Sequence, residues 1–287
     1  MDATALESCM GRAGITYARP GAGEGRLMVD WIDIAGHPTW IAQQGTTGTP
    51  IVLLHGGLSD SELLLEALAE PLGGDRRIVA FDRRGHGYTA DTGEPFHYDQ
   101  MAIETIGVLE AVVAARAHLV GWSDGGIIAL LVALRRPDLV ERLVVIGANY
   151  HYDGVLPYEP EPDSTVPGML AARFAERSPS GAGAFGSMAE RFRTMTTTEP
   201  TLTTTDLAAI GAPTLVLAGD DDLIDLAHTI QLYQALPFAQ LGVVPGASHA
   251  LPIERPQLTA QLVLEFLDSD QPPCTMMPHR RRTPSKP

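Results

Sequence analysis

Several residue types that mark particular classes of protein are scarce in this sequence. Its 287 residues include only two cysteines, Cys9 and Cys274, and a single lysine, Lys286. Two such distant cysteines argue against a disulfide framework and a cysteine metal site, so we expect a reduced, cytoplasmic setting. Acids outnumber lysine and arginine by 35 to 20, which argues against nucleic acid and anionic membranes as partners. No apolar run approaches the ~18 residues that a membrane-spanning helix needs.

The two ends of the chain differ in composition from its middle. Residues 1–27 carry acids, glycine and proline but no apolar core segment, which predicts a flexible leader rather than a signal peptide. Residues 270–287 combine five prolines with a run of three arginines, which predicts a disordered tail. The segment between them is long enough for one large domain.

Short apolar runs alternate with helical segments through that middle. Continuously apolar runs such as 51–54 and 143–146 are typical of strands buried on both faces. We predict strands at 31–34, 39–43, 50–54, 77–81, 117–120, 143–146, 214–217 and 239–244. We predict helices at 61–70, 101–115, 127–134, 223–236 and 256–267. The alternation predicts an α/β protein with a mostly parallel, doubly wound sheet of eight strands.

Residues 149–206 interrupt the alternation. They are rich in proline and threonine and contain no apolar run typical of a buried strand. Two short helices are predicted there, at 170–177 and 184–193. We interpret this stretch as an inserted, mainly helical cap over the carboxyl edge of the sheet, so that the core comprises residues 28–148 and 207–269.

The hexapeptide Gly121-Trp122-Ser123-Asp124-Gly125-Gly126 lies between an apolar strand and an apolar helix. A serine between two glycines at such a turn is typical of a nucleophile elbow, whose strained backbone exposes the hydroxyl above the sheet. The N-terminus of the following helix also favours negative charge. The alternative is a glycine-rich turn whose serine only caps the helix. We predict that Ser123 is a nucleophile.

A serine hydroxyl needs a base that removes its proton and a third group that orients the base. The strand at 214–217 runs into Gly219 and three aspartates. Asp222 is the predicted acid because the third residue beyond the glycine turn can return towards the sheet; Asp220 and Asp221 are the alternatives. His249 is the predicted base, because among nine histidines it alone follows a strand that lies beyond the acid. The chain order is then serine, acid, histidine.

An oxyanion formed during acyl transfer needs two backbone N–H donors. We predict the N–H of Asp124, the residue after the nucleophile, and the N–H of Gly57, in the loop that follows the strand at 50–54. His55, in the same loop, and His86, in a second glycine-containing turn, are interpreted as structural residues rather than bases.

From about residue 31 to 267 the chain resembles the α/β-hydrolase fold superfamily. The resemblance rests on His55-Gly56-Gly57, the segment 82–87, the hexapeptide around Ser123, residues 219–222 and Gly246-Ala247-Ser248-His249. The hexapeptide, with the segment 145–149, looks like the biphenyl hydrolase-like group, which includes valacyclovir hydrolase. That likeness implies that Asp124 and its neighbour Trp122 bind substrate, with the Asp124 carboxylate taking the α-amino group of an amino-acid ester. Alternatively, an acid at this position only stabilises the first helical turn.

These features predict a cofactor-independent, metal-free serine hydrolase that cleaves a small carboxylic ester or lactone through an acyl-enzyme, as a monomer or homodimer. The alternatives are hydrolysis of a carbon–carbon bond or an enol lactone, haloperoxidase-like perhydrolysis, and a non-catalytic ligand-binding domain. Haloalkane dehalogenases and epoxide hydrolases place an aspartate where this chain has Ser123, which argues against both.

Overall fold

In the computed structural model of this chain, the described residues are 27–73, 75–157, 164–271 and 273–277. The predicted leader, apart from Leu27, lies outside them, as does much of the predicted tail. Within the described part of the tail, Cys274 is exposed and free.

Eight strands form one sheet in the order β1-β2-β4-β3-β5-β6-β7-β8. They are β1 (Met28–Ile34), β2 (His37–Gln44), β3 (Thr47–Leu54), β4 (Arg76–Phe81), β5 (Ala117–Trp122), β6 (Val140–Ile146), β7 (Thr214–Asp221) and β8 (Ala239–Ser248). β2 pairs antiparallel with β1 and with β4, and the other pairs are parallel. The predicted eight-stranded, mostly parallel, doubly wound sheet is confirmed.

Helices follow most of the strands and cover both faces of the sheet. They are α1 (Ser61–Leu68), α2 (Tyr98–Val108), α3 (Asp124–Arg135), α4 (Val166–Arg177), α5 (Phe185–Thr196), α6 (Thr204–Ala208), α7 (Leu226–Ala235), α8 (Leu251–Glu254) and α9 (Pro256–Asp268). α2 and α3 pack in the core on one face, and α1 and α9 pack in the core on the other. The apolar runs 51–54 and 143–146 are almost fully buried, because each faces a core on both sides.

Several elements depart from the predicted bounds: β7 and β8, for example, continue to Asp221 and Ser248, four residues beyond their predicted ends. Three other departures have local reasons. The β1–β2 hairpin is longer because Ala35 and Gly36 both adopt positive φ, which is the turn geometry that suits tightly paired strands. α2 begins three residues early and continues as a π-helical turn, Leu109–Val113, until Ala114 turns left-handed. α7 begins at Leu226 rather than 223, because Asp225 caps it by accepting from the Ala227 N–H.

The segment predicted as a cap contains helices α4, α5 and α6 in its described part. Strand-like pairing there is limited, among the residues that the structure describes, to the isolated bridges His151–Thr201 and Val155–Ile224. Arg173 of α4 forms a two-armed ion pair with Asp60, which precedes α1, with both N–O distances 2.7 Å. This ion pair joins the segment to the core beside the carboxyl ends of the strands.

None of the described helices is both long enough and apolar enough to span a bilayer.

Candidate active site

Ser123 occupies the sharp turn between β5 and α3. Its φ of 55° and ψ of −120° are rare for a residue with a side chain. The turn is held by the Ser123 N–H, which donates to the Ile146 carbonyl of β6 at 2.8 Å. A Cβ at Gly121 would collide with the backbone of Gly125, and one at Gly125 would collide with the Leu54 carbonyl. The two glycines therefore permit the tight, strained elbow that the sequence predicts.

His249 lies between Ser123 and Asp222. The distance from His249 Nε2 to Ser123 Oγ is 3.0 Å, and that from His249 Nδ1 to Asp222 Oδ1 is 2.7 Å. The Asp222 side chain is buried, and its Oδ1 also accepts from the Ile224 N–H at 3.0 Å. Because a carboxylate accepts from Nδ1–H, the Nε2 lone pair is left facing the serine hydroxyl.

The other two aspartates of the acidic turn have different surroundings. Asp220 Oδ1 accepts from the backbone N–H groups of Gly246 and Ala247, at 2.7 and 3.3 Å. Asp221 is exposed at the end of β7. The structure thus brings Asp222, and neither alternative acid, to His249.

Gly147, just after β6, was missed by the sequence analysis. Its φ is +56°, and a Cβ built there would lie 3.1 Å from both Asp222 Oδ2 and His249 Nδ1. Its N–H donates to the Leu217 carbonyl of β7 at 2.8 Å. The sequence offered one indication: Gly147 directly follows the predicted strand at 143–146, which in chain order comes between the strand before Ser123 and the strand before Asp222.

The backbone around His249 is held from two sides. The Trp122 indole N–H donates to the His249 carbonyl at 2.7 Å. Glu254 of α8 accepts from the N–H and the hydroxyl of Ser248, both at 2.7 Å. The Trp122 ring also packs on Gly56, where an added Cβ would lie 3.1 Å from the ring. Trp122, which we predicted to bind substrate, therefore uses its one donor to position the histidine loop.

The loop after β3 adjoins the first residue of α3, as the predicted oxyanion site requires. A Cβ on Gly57 would lie 2.8 Å from Asp124 Oδ2 and would collide with the ring of Phe192 on α5. Only a glycine fits between these two groups. The Phe192 ring consequently stands over the loop that carries one of the two predicted donors.

The side chain of Asp124 is buried in the fold, with 5% of the residue exposed. Its Oδ1 accepts from the Tyr98 hydroxyl at 2.8 Å, whereas Oδ2 has no protein hydrogen-bond partner. Burial raises the pKa of Asp124, and the positive charge of Arg83 opposes that rise. The side chain therefore belongs to a buried polar network, while its backbone starts α3 beside Ser123.

The arrangement contains the groups that acyl transfer requires. The Ser123 hydroxyl contacts a base, the base contacts an orienting carboxylate, and Ser123 immediately precedes α3, against whose first residue the Gly57 loop packs. Such a set can form and hydrolyse a covalent acyl intermediate.

This fold and site define a class of enzymes. The chain belongs to the Alpha/beta hydrolase family, whose family model matches residues 51–262.

Among curated relatives, the chain is 28% identical over 242 residues to the putative carbamate hydrolase RutD of Agrobacterium fabrum, covering 76% of this chain and 93% of that protein. It is 31% identical over 255 residues to 2-hydroxy-6-oxo-2,4-heptadienoate hydrolase of Pseudomonas putida, covering 78% and 90%. It is 25% identical over 209 residues to the serine hydrolase BPHL of Mus musculus, covering 66% and 69%. The predicted resemblance to the superfamily and to the biphenyl hydrolase-like group is confirmed.

Among solved structures, a meta-cleavage product hydrolase from Pseudomonas fluorescens, CumD, superposes with a TM-score of 0.70 at 24% identity, covering 83% of this chain and 97% of that one. The likeness supports the same fold.

Proposed function

We propose that this protein is a cofactor-independent serine hydrolase that cleaves a small carboxylic ester or lactone through an acyl-enzyme. The observation that carries the proposal is the unbroken chain of contacts from Asp222 through His249 to Ser123, at 2.7 and 3.0 Å. Its support is geometric, because a base within hydrogen-bond reach of a serine hydroxyl in a strained, half-buried turn is the arrangement that activates serine.

The reaction follows from that geometry. His249 Nε2 takes the Ser123 proton as Oγ attacks the substrate carbonyl carbon, while Asp222 stabilises the imidazolium. The N–H groups of Gly57 and Asp124 bind the oxyanion. His249 then protonates the leaving alcohol, and the acyl group stays on Oγ. Water, deprotonated by the same histidine, attacks the acyl-enzyme and releases the acid.

The acidic composition supports a free small molecule as substrate, rather than a nucleic acid or an anionic membrane. We place the enzyme in the cytoplasm, as a monomer or homodimer.

The decisive test is Ser123→Ala. We expect it to abolish p-nitrophenyl acetate hydrolysis and labelling by a fluorophosphonate, because among the described residues Ser123 has the hydroxyl that pairs with His249. Ser187→Ala is the matched control, since this exposed serine of α5 bonds the Ala184 carbonyl of its own segment, and it should behave as wild type. Turnover that survives in Ser123→Ala would contradict the proposal. A wild-type protein that neither turns over nor labels would favour the non-catalytic binding domain.

A second candidate is hydrolysis of a carbon–carbon bond. The observation that favours it is the 31% identity to 2-hydroxy-6-oxo-2,4-heptadienoate hydrolase. A substrate panel separates the candidates: simple esters and lactones, vinylogous 1,5-diketones, enol lactones, carbamates, and acetate with peroxide for perhydrolysis. The kcat/KM for esters and lactones should exceed that for the other substrates, and a preference for the diketones would replace our proposal with the second one.

The same panel, run with substrates that carry or lack an α-amino group, tests whether the Asp124 carboxylate binds a substrate ammonium group. Its Oδ2 has no protein partner, which favours such a role. Its burial and its coupling to Arg83 favour a structural one. A free-amine preference that is lost in Asp124→Asn would assign amino-acid esters; equal activity on both series would assign the structural role.

A further inference from the structure

Arg83 lies fully buried beneath the loop that carries Gly57. It is 1% exposed, and it follows β4 in the segment Asp82-Arg83-Arg84-Gly85-His86-Gly87. Its Nη1 donates to the His55 carbonyl at 2.7 Å, and its Nη2 donates to the Gly56 carbonyl at 3.1 Å. One guanidinium thus binds two successive carbonyls immediately before the predicted oxyanion donor.

The bond to Gly56 also sets the direction of the Gly57 N–H. The Gly56 carbonyl and the Gly57 N–H belong to one planar trans peptide, so they point in opposite directions. A donor that holds this carbonyl on the Arg83 side therefore turns the Gly57 N–H away from Arg83. Without Arg83, the His55 Nδ1–H still holds this carbonyl, and the two consecutive glycines give the peptide more freedom to turn.

His55, as a neutral imidazole, also holds the peptide between Gly56 and Gly57. Its Nδ1 is 2.7 Å from the Gly56 carbonyl, and its Nε2 accepts from the Arg83 N–H at 3.3 Å. A carbonyl only accepts, so the proton is on Nδ1. Burial, with Arg83 as a second cause, lowers the pKa of His55 well below its usual value and keeps the ring neutral.

Arg83 is also coupled to the other predicted donor residue. Asp124 is the charge that most strongly opposes the lowering of the Arg83 pKa by burial, and Tyr98 holds Asp124 Oδ1. Two buried opposite charges of this kind stabilise each other, and removing one leaves the other uncompensated.

We propose that Arg83 is a positioning residue for the oxyanion site: it directs the predicted Gly57 donor through its hydrogen bonds to the His55 and Gly56 carbonyls. This inference rests on the proposed function, because it assigns Arg83 an effect on the oxyanion and therefore on the transition state. It distinguishes Arg83 from Arg84, whose guanidinium binds Thr92 Oγ1 and the carbonyls of Glu94 and Pro95 in another loop.

The test compares Arg83→Met, Arg83→Lys and the control Arg84→Met. Methionine keeps the apolar stem and removes all donors; lysine keeps the charge but not the two-armed fork. For each variant we measure kcat and KM with p-nitrophenyl acetate and Ki for phenylboronic acid, whose tetrahedral adduct with a serine resembles the oxyanion intermediate. Circular dichroism and thermal unfolding give the folded fraction, by which the rates are normalised.

For Arg83→Met we expect kcat to fall roughly 100-fold, the typical effect of losing one oxyanion donor. KM should change less than about twofold, because ground-state binding does not use the oxyanion site, and the boronate Ki should rise in step with the loss in kcat. Arg83→Lys should lie between Arg83→Met and wild type, and Arg84→Met should match wild type. A merely structural role would lower the folded fraction without changing the normalised kcat or Ki.

An unchanged normalised kcat in Arg83→Met, or a lower kcat with a wild-type boronate Ki, would overturn the role of Arg83. If Arg83→Met does not fold, Arg83→Lys is judged by the same criteria. Fluorophosphonate labelling of the wild type separates a failure of the Arg83 role from a failure of the proposed serine-hydrolase function. Labelling with unaffected Arg83 variants rejects only the positioning role, whereas a wild type that does not label rejects the proposed function together with it.

Discussion

At the scale of single residues, Gly147 shows how little space surrounds the Asp222–His249 contact. In Gly147→Ala the added methyl would lie 3.1 Å from Asp222 Oδ2 and His249 Nδ1, so these groups must move by a few tenths of an ångström. Because catalysis depends steeply on alignment, we expect kcat for p-nitrophenyl acetate to fall by roughly tenfold, with KM little changed. Steady-state kinetics on the purified variant measures both.

Gly36→Ala is the matched control. Gly36 also has a positive φ, +86°, but a Cβ there meets nothing within 4 Å. Both variants carry a similar backbone cost, of about 1 kcal/mol, whereas only Gly147→Ala disturbs the site. Equal losses of activity in the two variants would show that strain, rather than displacement of Asp222 and His249, is responsible.

The sequence could predict residues whose role depends on their own turn, and it failed for residues whose role depends on a neighbouring strand. The strained turn at Ser123 was predictable because the glycines that form it lie on either side of the serine; its role as nucleophile stays a prediction. Gly147 was not predictable, because its role requires β6 to lie between β5 and β7. Arg83 and Arg84 are chemically identical neighbours, and only the fold shows that Arg83 contacts the Gly56 carbonyl.

At the scale of elements, helix α4 is attached to the core by the buried Phe174 and by an ion pair of Arg173. Arg173 and Asp60 are both buried, at 8% and 4% side-chain exposure, and Asp60 also caps α1 by accepting from the Leu63 N–H at 2.9 Å. In Arg173→Met the buried Asp60 carboxylate loses its two-armed partner and keeps only the more distant Arg177, at 3.9 Å; breaking a buried pair in this way costs about 3–5 kcal/mol. We expect faster amide hydrogen exchange in α4 and a lower unfolding free energy, measured by mass spectrometry and by urea denaturation.

Arg193→Met provides the comparison, because the Arg193–Glu190 pair on α5 is exposed at both partners. Exposed pairs contribute at most about 1 kcal/mol, so exchange in α5 and the unfolding free energy should change little. If α4 stays as protected in Arg173→Met as in wild type, its attachment does not depend on the ion pair.

Elements were predicted best where burial is continuous and worst where local hydrogen bonds decide. The runs in β3 and β6 are apolar because both faces of these strands are covered. The start of α7, at Leu226, lies three residues beyond the predicted one, because it depends on the capping residue Asp225, which accepts from the Ala227 N–H. The contacts of α4 and α5 with the loop after β3 involve Arg173 and Phe192, which no periodic pattern distinguishes from other residues of amphipathic helices.

At the scale of the whole molecule, burial acts on two sets of titratable groups with opposite consequences for stability. Burial lowers the pKa of His86 to about 3 and that of His118 to about 4. In the unfolded chain these histidines have pKa values near 6.5. Below that pH the unfolded chain therefore binds more protons than the folded chain, so acid destabilises the protein. Burial raises the pKa of Asp82 to about 7, and this carboxyl has the reverse effect. The wild-type pH profile is thus a sum of opposing contributions, which single variants can separate.

His118 is suited to that separation because it lies near the start of β5, at the opposite end of the strand from Ser123, and its Nδ1 is buried without a partner. Its contribution to stability is fully present above pH 6.5 and is lost as the pH falls towards 4, because in that range the imidazole is protonated in the unfolded chain but not in the folded one. Each unit of pKa depression corresponds to roughly 1.4 kcal/mol. The unfolding free energy of wild type minus that of His118→Gln should therefore decrease as the pH is lowered from 8 to 4.5 in urea titrations. His118→Phe, which also removes the imidazole, should give the same decrease; a difference that stays constant with pH in both variants would show that His118 titrates alike in the folded and unfolded chain.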